Sequence, residues 1–379
     1  MFVLAALSYL VTIFAVGLFI VRLRELISLF KKQQPDPTRS NNRGARTKNM
    51  LKEVLGHTKM LNFTGTGIAH WFVMVGFGAL FGTLITAYGQ LISPDFALPI
   101  IGHFVGYELF AEVIAALTGI GIVTLIGIRQ ATRFWHKGRT SRFAGSNQGR
   151  AYYVEATILA VVFCVIALRG LEGALAGEKS WSLHYAISWP AVTFFSSWST
   201  SAIESAIVVV AAAKIFVSML WFIVIASNLT MGVAWHRFLA FFNIYFKRNI
   251  DQPSLGALPE MLSHGKPVNF EDPAEDDVFG LGTRGDISWK GLLDMTSCTE
   301  CGRCQSQCPA WHTDKPLSPK LLIMAMRDHA MAKVVETENL VGENAPISLD
   351  VLWSCTSCGA CVNECPVDIE HVDHIVNMR

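Results

Sequence analysis

Five stretches of the chain stay apolar for long enough to cross a hydrocarbon layer, which takes about 20 residues of helix. They are Phe2 to Val21, Gly65 to Tyr88, Phe104 to Ile128, Tyr153 to Leu171 and Ile215 to Leu239. The fourth is the least clean, with Glu155 and Arg169 at its ends. A globular core would need five long buried helices to give the same pattern, which is far rarer than a membrane bundle. The first stretch begins at Met1 with no basic n-region, and no small-residue cleavage site precedes Arg22, so it is expected to remain as a helix rather than leave as a signal peptide.

Composition agrees with this pattern. Of 379 residues 51% are hydrophobic and 16% charged, with a net charge of +1, which excludes an ordinary soluble domain. Membrane lipid is the implied surroundings, and no nucleic-acid partner is expected. The placement of charge carries more than its sum. Ten Lys and Arg residues from Arg22 to Lys59 follow the first span, and six from Arg129 to Arg150 follow the third. The loop from Gln90 to Pro99 has none, and that from Glu172 to Ser201 has only Lys179. The positive-inside rule then puts the N-terminus outside a cytoplasmic membrane and the C-terminal part in the cytoplasm. After Lys247 and Arg248 the chain turns rich in Pro, Gly and acidic residues. The expected division is a membrane domain over 1–248, a linker over 249–285 and a cysteine domain over 286–379.

Eight of the nine cysteines lie between Cys298 and Cys365 in two sets of one spacing, Cys-x-x-Cys-x-x-Cys-x-x-x-Cys-Pro, while Cys164 sits alone in an apolar run. That spacing is the two-cluster ferredoxin pattern, in which three closely spaced thiolates wrap one cubane and the fourth ligates the other. It assigns Cys298, Cys301, Cys304 and Cys365 to one [4Fe-4S] cluster and Cys355, Cys358, Cys361 and Cys308 to the second. Two structural zinc sites are the alternative use of the same sulfurs. Gly302 and Gly359 fall inside the loops, where backbone must pass close to sulfur. Between the sets, Ser318 and Pro319 offer an N-cap and first-turn proline for an amphipathic helix over Leu321 to Val334. The fold class expected is therefore an all-α membrane protein, a five-helix transmembrane bundle joined to an α-helical ferredoxin-like two-cluster domain.

Within the bilayer, His70 and His236 lie about one turn from the inner ends of the second and fifth spans, a depth match that suits the two imidazoles of one haem b. A helix-helix hydrogen bond or a quinone contact is the plainer use of either. His57 is the rival ligand, and His103 and His184 lie on the outer side. Glu108 and Glu112, one turn apart in the outer half of the third span, are candidates for proton delivery to a quinone, or else a neutralised pair near the headgroups. Lys214, read as the outer start of the fifth span, is either their partner or a snorkelling residue.

The stretch Ile68-Ala69-His70-Trp71-Phe72-Val73-Met74-Val75-Gly76-Phe77 resembles the second helix of the cytochrome b subunit of respiratory nitrate reductases and of the membrane subunit of heterodisulfide reductases. His236-Arg237-Phe238 with Asn243-Ile244-Tyr245-Phe246 resembles the end of the fifth helix of that family. The resemblance implies an inner haem on His70 and His236. Its outer haem ligands would fall near Leu80 and Ser218, which cannot ligate, so one haem is expected. Fusion of such a membrane part to a double-cubane module resembles the actinobacterial electron transfer flavoprotein dehydrogenases. That resemblance implies an oxidoreductase passing electrons from electron transfer flavoprotein to menaquinone, and so links fatty-acid β-oxidation to respiration. Members continue into a domain with Cys-Cys-Gly motifs, absent through Arg379, which implies that the sequence is a piece, or the ordered part, of a longer protein. Two rival readings remain at this stage: a wiring subunit whose catalytic site belongs to a separate partner, and a redox sensor whose helices only anchor it.

Overall fold

The computed structural model describes residues 2–248, 256–332 and 335–379. It is helical, apart from short 3-10 turns and a small antiparallel hairpin pairing Leu262–Ser263 with Lys266–Pro267. In chain order the helices are α1 (Phe2–Lys32), α2 (Arg43–Gly56), α3 (Thr64–Ala79), α4 (Phe81–Gln90), α5 (Val105–Trp135), α6 (Gln148–Leu175), α7 (Trp189–Phe195) and α8 (Thr200–Ser227). There follow α9 (Gly232–Tyr245), α10 (Trp289–Ser297), α11 (Arg303–Ser306), α12 (Pro309–His312), α13 (Pro319–Met331), α14 (Leu349–Trp353), α15 (Ala360–Glu364) and α16 (His371–Met378). Helices α1, α5, α6 and α8 are long and apolar enough to cross a membrane, and Arg43–Ala79 with Phe81–Gln90, bent by 41°, makes a fifth if taken as one span. This is a multi-pass membrane protein.

The fifth span differs from expectation. Its helix runs over Thr200–Ser227, a turn at Asn228 to Met231 breaks it, and α9 follows as a separate element carrying His236. A charge inside an apolar run argues for a helix end, and Lys214 is the reason the sequence places the start too late. In the structure Lys214 is mid-helix and 1% exposed, and its Nζ donates to Thr83 Oγ1 (2.7 Å), so the charge is satisfied within the span. Lys214 is thus neither at the outer start of the helix, nor snorkelling, nor paired with Glu108 and Glu112.

Contacts divide the chain into two units. The first comprises Met1–Val21, Phe63–Ile128 and Ala151–Ser227, and the second Arg22–Asn62, Arg129–Arg150 and Asn228–Arg379. In the first, Ala87, Leu168, Leu171, Ile207, Ala211 and Ile215 form an apolar core among α4, α6 and α8. Small residues bring α3 against α5. A Cβ on Gly76 would lie 2.0 Å from Thr118 Oγ1, and that hydroxyl donates to the Phe72 carbonyl (3.1 Å).

In the second unit the core is built from α10, α13, α14 and α16, with Leu292, Met295, Ile323, Met326, Leu352 and Ile375 at its centre. The expected N-cap holds, since Ser318 Oγ accepts from Leu321 N (3.2 Å) and α13 begins at Pro319. It ends at Met331, and the last two residues of the expected helix, 333–334, lie outside the described residues. The start of the expected linker, 249–255, lies outside them too.

Candidate functional site

Two places hold the candidate residues, one in each unit. In the second unit, the backbone of both cysteine loops follows one plan. Glu300 and Ser357, each the second residue between a Cys pair, have φ of 57° and 53°, and Gly302 and Gly359, each after the second Cys, have φ of 71° and 75°. A left-handed residue on either side of one Cys turns successive N–H groups toward the loop interior, a concavity suited to anions. Each loop then enters a short helix, α11 or α15, which carries the third Cys of its set.

The thiols lie near enough to act on one another. Cys308, Cys355, Cys358 and Cys361 line one small cavity. Burial, then the charges of Cys355, Cys308 and Cys358, push the Cys361 thiol up to about 12. Burial, then the charges of Cys301, Cys365, Cys298 and Cys361, raise Cys304 well above its ordinary value. Backbone N–H groups already point at sulfur, Ser357 N at Cys355 Sγ (3.3 Å) and Ile369 N at Cys365 Sγ (3.4 Å). Thiols crowded together, most of them buried, with N–H donors aimed at two of them, fit a group that binds them as thiolates. Among the described residues no three or more His, Cys, Asp or Glu side chains are placed to hold a single metal ion.

Of the two loop glycines, Gly302 is held closely by what surrounds it. A Cβ on Gly302 would lie 1.8 Å from the Arg142 carbonyl oxygen, on top of its left-handed backbone. Gly302→Ala is expected to cost about 3 kcal/mol or more and to strip iron from the Cys298 group. Denaturant midpoints and iron counts on this variant check it, and a parent-like midpoint with full iron would contradict it.

The histidines are placed as follows. His70 lies in α3 of the first unit and His236 in α9 of the second. With His236 Nδ1 donating to the Gly232 carbonyl (3.2 Å), Nε2 is the basic nitrogen, the tautomer that haem iron takes. His57 caps the end of α2, where its Nδ1 meets the Val54 carbonyl (2.7 Å).

The first unit holds a cavity of about 240 Å³, lined among others by Thr83, Gln90, His103, Tyr107, Glu108, Arg169 and Lys214. On its wall Arg169, a residue the sequence marks only as a blemish in the fourth span, gathers three carboxylates. Its guanidinium reaches Glu172 (2.5 Å), Glu108 (3.2 Å) and Glu112 (3.3 Å), and it also donates to the His184 carbonyl. Glu112 is fully buried and accepts from Ile187 N (2.7 Å) and Ser188 N (3.2 Å). Glu108 holds Nδ1 of His184, whose side chain is 44% exposed. Gln90 Nε2 donates to Glu172 (2.5 Å), while Gln90 Oε1 and the Tyr107 hydroxyl are buried with no hydrogen-bond partner. Orphaned polar atoms on a cavity wall are the mark of a ligand that supplies their partners.

Comparison with known proteins gives a family for the cysteine region. Residues 297–369 match the family described as "4Fe-4S dicluster domain". Across 357 aligned residues, 83% of the chain, it is 27% identical to "EtfAB:quinone oxidoreductase" of Syntrophomonas wolfei subsp. wolfei, reaching 45% of that protein. It is 33% identical over 40% of its length to a Chromohalobacter salexigens protein named "Probable membrane-anchored ferredoxin", reaching 27% of it. A third relative is "H(2)/formate:CoB-CoM heterodisulfide,ferredoxin reductase subunit C2" of Methanococcus maripaludis, 26% identical over 33% of the chain and 50% of that subunit. The chain thus spans half or less of the length of these relatives. No solved structure matches it. The chain carries a 4Fe-4S dicluster domain and bears a family-level resemblance to membrane-anchored iron-sulfur and quinone-oxidoreductase proteins.

Proposed function

We propose that this chain is the membrane-bound electron-transfer part of an oxidoreductase that takes electrons from electron transfer flavoprotein and delivers them to menaquinone. The carrying observation is the pairing of two four-thiol groups on matched loops with a polar-lined cavity among the membrane helices. Cys298, Cys301, Cys304 and Cys365 would hold one [4Fe-4S] cluster, Cys308, Cys355, Cys358 and Cys361 the other, and His70 and His236 a haem b. Bound, these groups supply one-electron relays between two-electron carriers. Both basic segments that the charge pattern assigns to the cytoplasm belong to the unit with the cysteines, which supports a cytoplasmic cluster domain and an N-terminus outside.

In this reading the cavity takes the quinone ring, its volume suiting a headgroup with the tail outside. The Tyr107 hydroxyl and the Lys214 ammonium donate to the two carbonyl oxygens, and His184 passes a proton from water to Glu108. Arg169 holds the carboxylates in place. The test is anaerobic assay of the purified chain in detergent, with reduced flavoprotein as donor and a menaquinone analogue as acceptor. Tyr107→Phe is expected to raise KM for the quinone about tenfold, the worth of one buried hydrogen bond, with cluster and haem spectra unaltered. An unchanged KM would remove the quinone from this cavity. The resemblance to a protein named as a heterodisulfide reductase subunit favours a second reading, a wiring subunit served by a separate catalytic partner. Turnover by the chain alone would exclude it.

A further inference from the structure

The two cysteine groups differ in the charge around them. Each thiol of the first group has a basic residue acting on it: Arg327 on Cys298, Arg142 on Cys301, Lys320 on Cys304 and Lys59 on Cys365. Two of these cations are balanced locally, Arg327 by Glu300 (3.0 Å) and Lys59 by Asp368. Lys320 is different. It is 0% exposed, and its Nζ donates to the Arg142 carbonyl (3.0 Å), the Ala144 carbonyl (2.5 Å) and Ser146 Oγ (2.8 Å), all neutral oxygens. Burial lowers its ammonium to about 8, and the sulfurs of Cys304, Cys298 and Cys301 push the other way. A buried cation needs an anion nearby, and here the anions acting on it are the cysteine group first and then Glu300, which is already paired with Arg327.

The second group is surrounded differently. The charges acting on Cys361 are the thiols of its own group. Arg379 reaches it from the surface, donating to the Cys355 carbonyl (2.5 Å), where solvent screens the charge. Cys358 of this group is exposed, whereas Cys298, Cys304 and Cys365 are buried. The buried group lies against α9, since a Cβ on Gly232 would come within 2.0 Å of the Cys298 carbonyl oxygen.

We infer that Lys320 makes the cluster of Cys298, Cys301, Cys304 and Cys365 the higher-potential one, so that electrons arrive at the exposed cluster of Cys308, Cys355, Cys358 and Cys361 and run inward to it. The inference rests on the cluster reading above. A buried positive charge stabilises the reduced form, which carries one more negative charge, and low dielectric leaves the effect largely unscreened. With the clusters bound, Lys320 would favour holding the electron at the group of Cys298, Cys301, Cys304 and Cys365, an exchange of one electron that would make or break no bond.

The test is redox titration of the full chain, loaded with iron and sulfide, followed by electron paramagnetic resonance. Two components are expected. In Lys320→Gln, the reduced-to-oxidised ratio of the higher-potential component at a fixed potential falls about tenfold, which is about 59 mV for one electron. The lower component stays where it was, and Lys320→Arg restores the parent value. Should Lys320→Gln fail to fold, Cys358→Ser decides the same question, since it is expected to alter the lower-potential signal. A shift of the lower component in Lys320→Gln, no shift of either, or a change of the higher signal in Cys358→Ser would overturn the inference. Two clusters of equal potential would overturn it alone, while a chain that binds no iron would overturn the cluster reading as well.

Discussion

Replacing Arg169 by leucine is expected to lower stability by about 3–5 kcal/mol and to abolish quinone reduction. The guanidinium touches Glu108, Glu112 and Glu172 together, and the side chains of Glu108 and Glu112 are 4% and 0% exposed. Without it, carboxylates two of which are this buried face one another where water cannot screen them, and each must take a proton or expel its neighbour. Arg169 also packs 4.6 Å over the Tyr185 ring, so its loss opens a void as well as a charge imbalance. Lysine at the same position keeps one charge but cannot present a planar fork to three partners, and is expected to recover about half of the lost stability. Thermal unfolding in detergent, read beside quinone turnover, checks both. If Arg169→Leu unfolds within about 0.5 kcal/mol of the parent, the carboxylates do not depend on this cation.

This cluster also marks where the sequence stops being readable. Cubane chemistry needs its ligands on short loops, so spacing alone singles out the cysteines, and Cys308, Cys355, Cys358 and Cys361 line one cavity in the structure. Arg169 needs nothing of the kind, because its partners lie on α5, on α6 and in the stretch before α7 and meet only in three dimensions. The signal was present: an arginine inside one apolar run and two glutamates inside another are each too costly alone, so they call for each other. The same rule, applied without a partner in view, misplaces the start of α8. Lys214 looks like a helix end until Thr83 is seen against it. Tyr107 gave no signal at all, since an aromatic residue in a membrane helix is ordinary and only the missing partner of its hydroxyl singles it out.

The largest effect expected in the second unit comes from Asp294→Asn, a loss of about 3–5 kcal/mol at neutral pH. Asp294 is 0% exposed and lies where four segments meet. Lys290 on its own helix bonds it (2.7 Å), His374 of α16 reaches its other oxygen (3.0 Å), and Asn243 of α9 donates to it (2.8 Å) while also donating to the Val367 carbonyl (2.7 Å) beyond Cys365. Burial would raise its carboxyl, but Lys290 and His374 outweigh burial and hold it well below the usual carboxylate range. A carboxyl depressed on folding stabilises the native state above its unfolded value of about 4, and that contribution is lost as pH falls below it. Asp373 opposes this over a higher window: burial and Glu370 raise it to about 6, so its ionisation costs stability as pH climbs toward that value. The parent is therefore expected to lose stability steeply below about pH 4, and Asp294→Asn to show a flatter acid limb. Removing Lys290 as well, as in Lys290→Met with Asp294→Leu, should recover most of the loss, because the penalty of a broken buried pair lies in the charge left behind. A double variant as unstable as Asp294→Asn would show that the carboxylate's hydrogen bonds to Asn243 and His374, rather than its charge, tie the cysteine helices to α9.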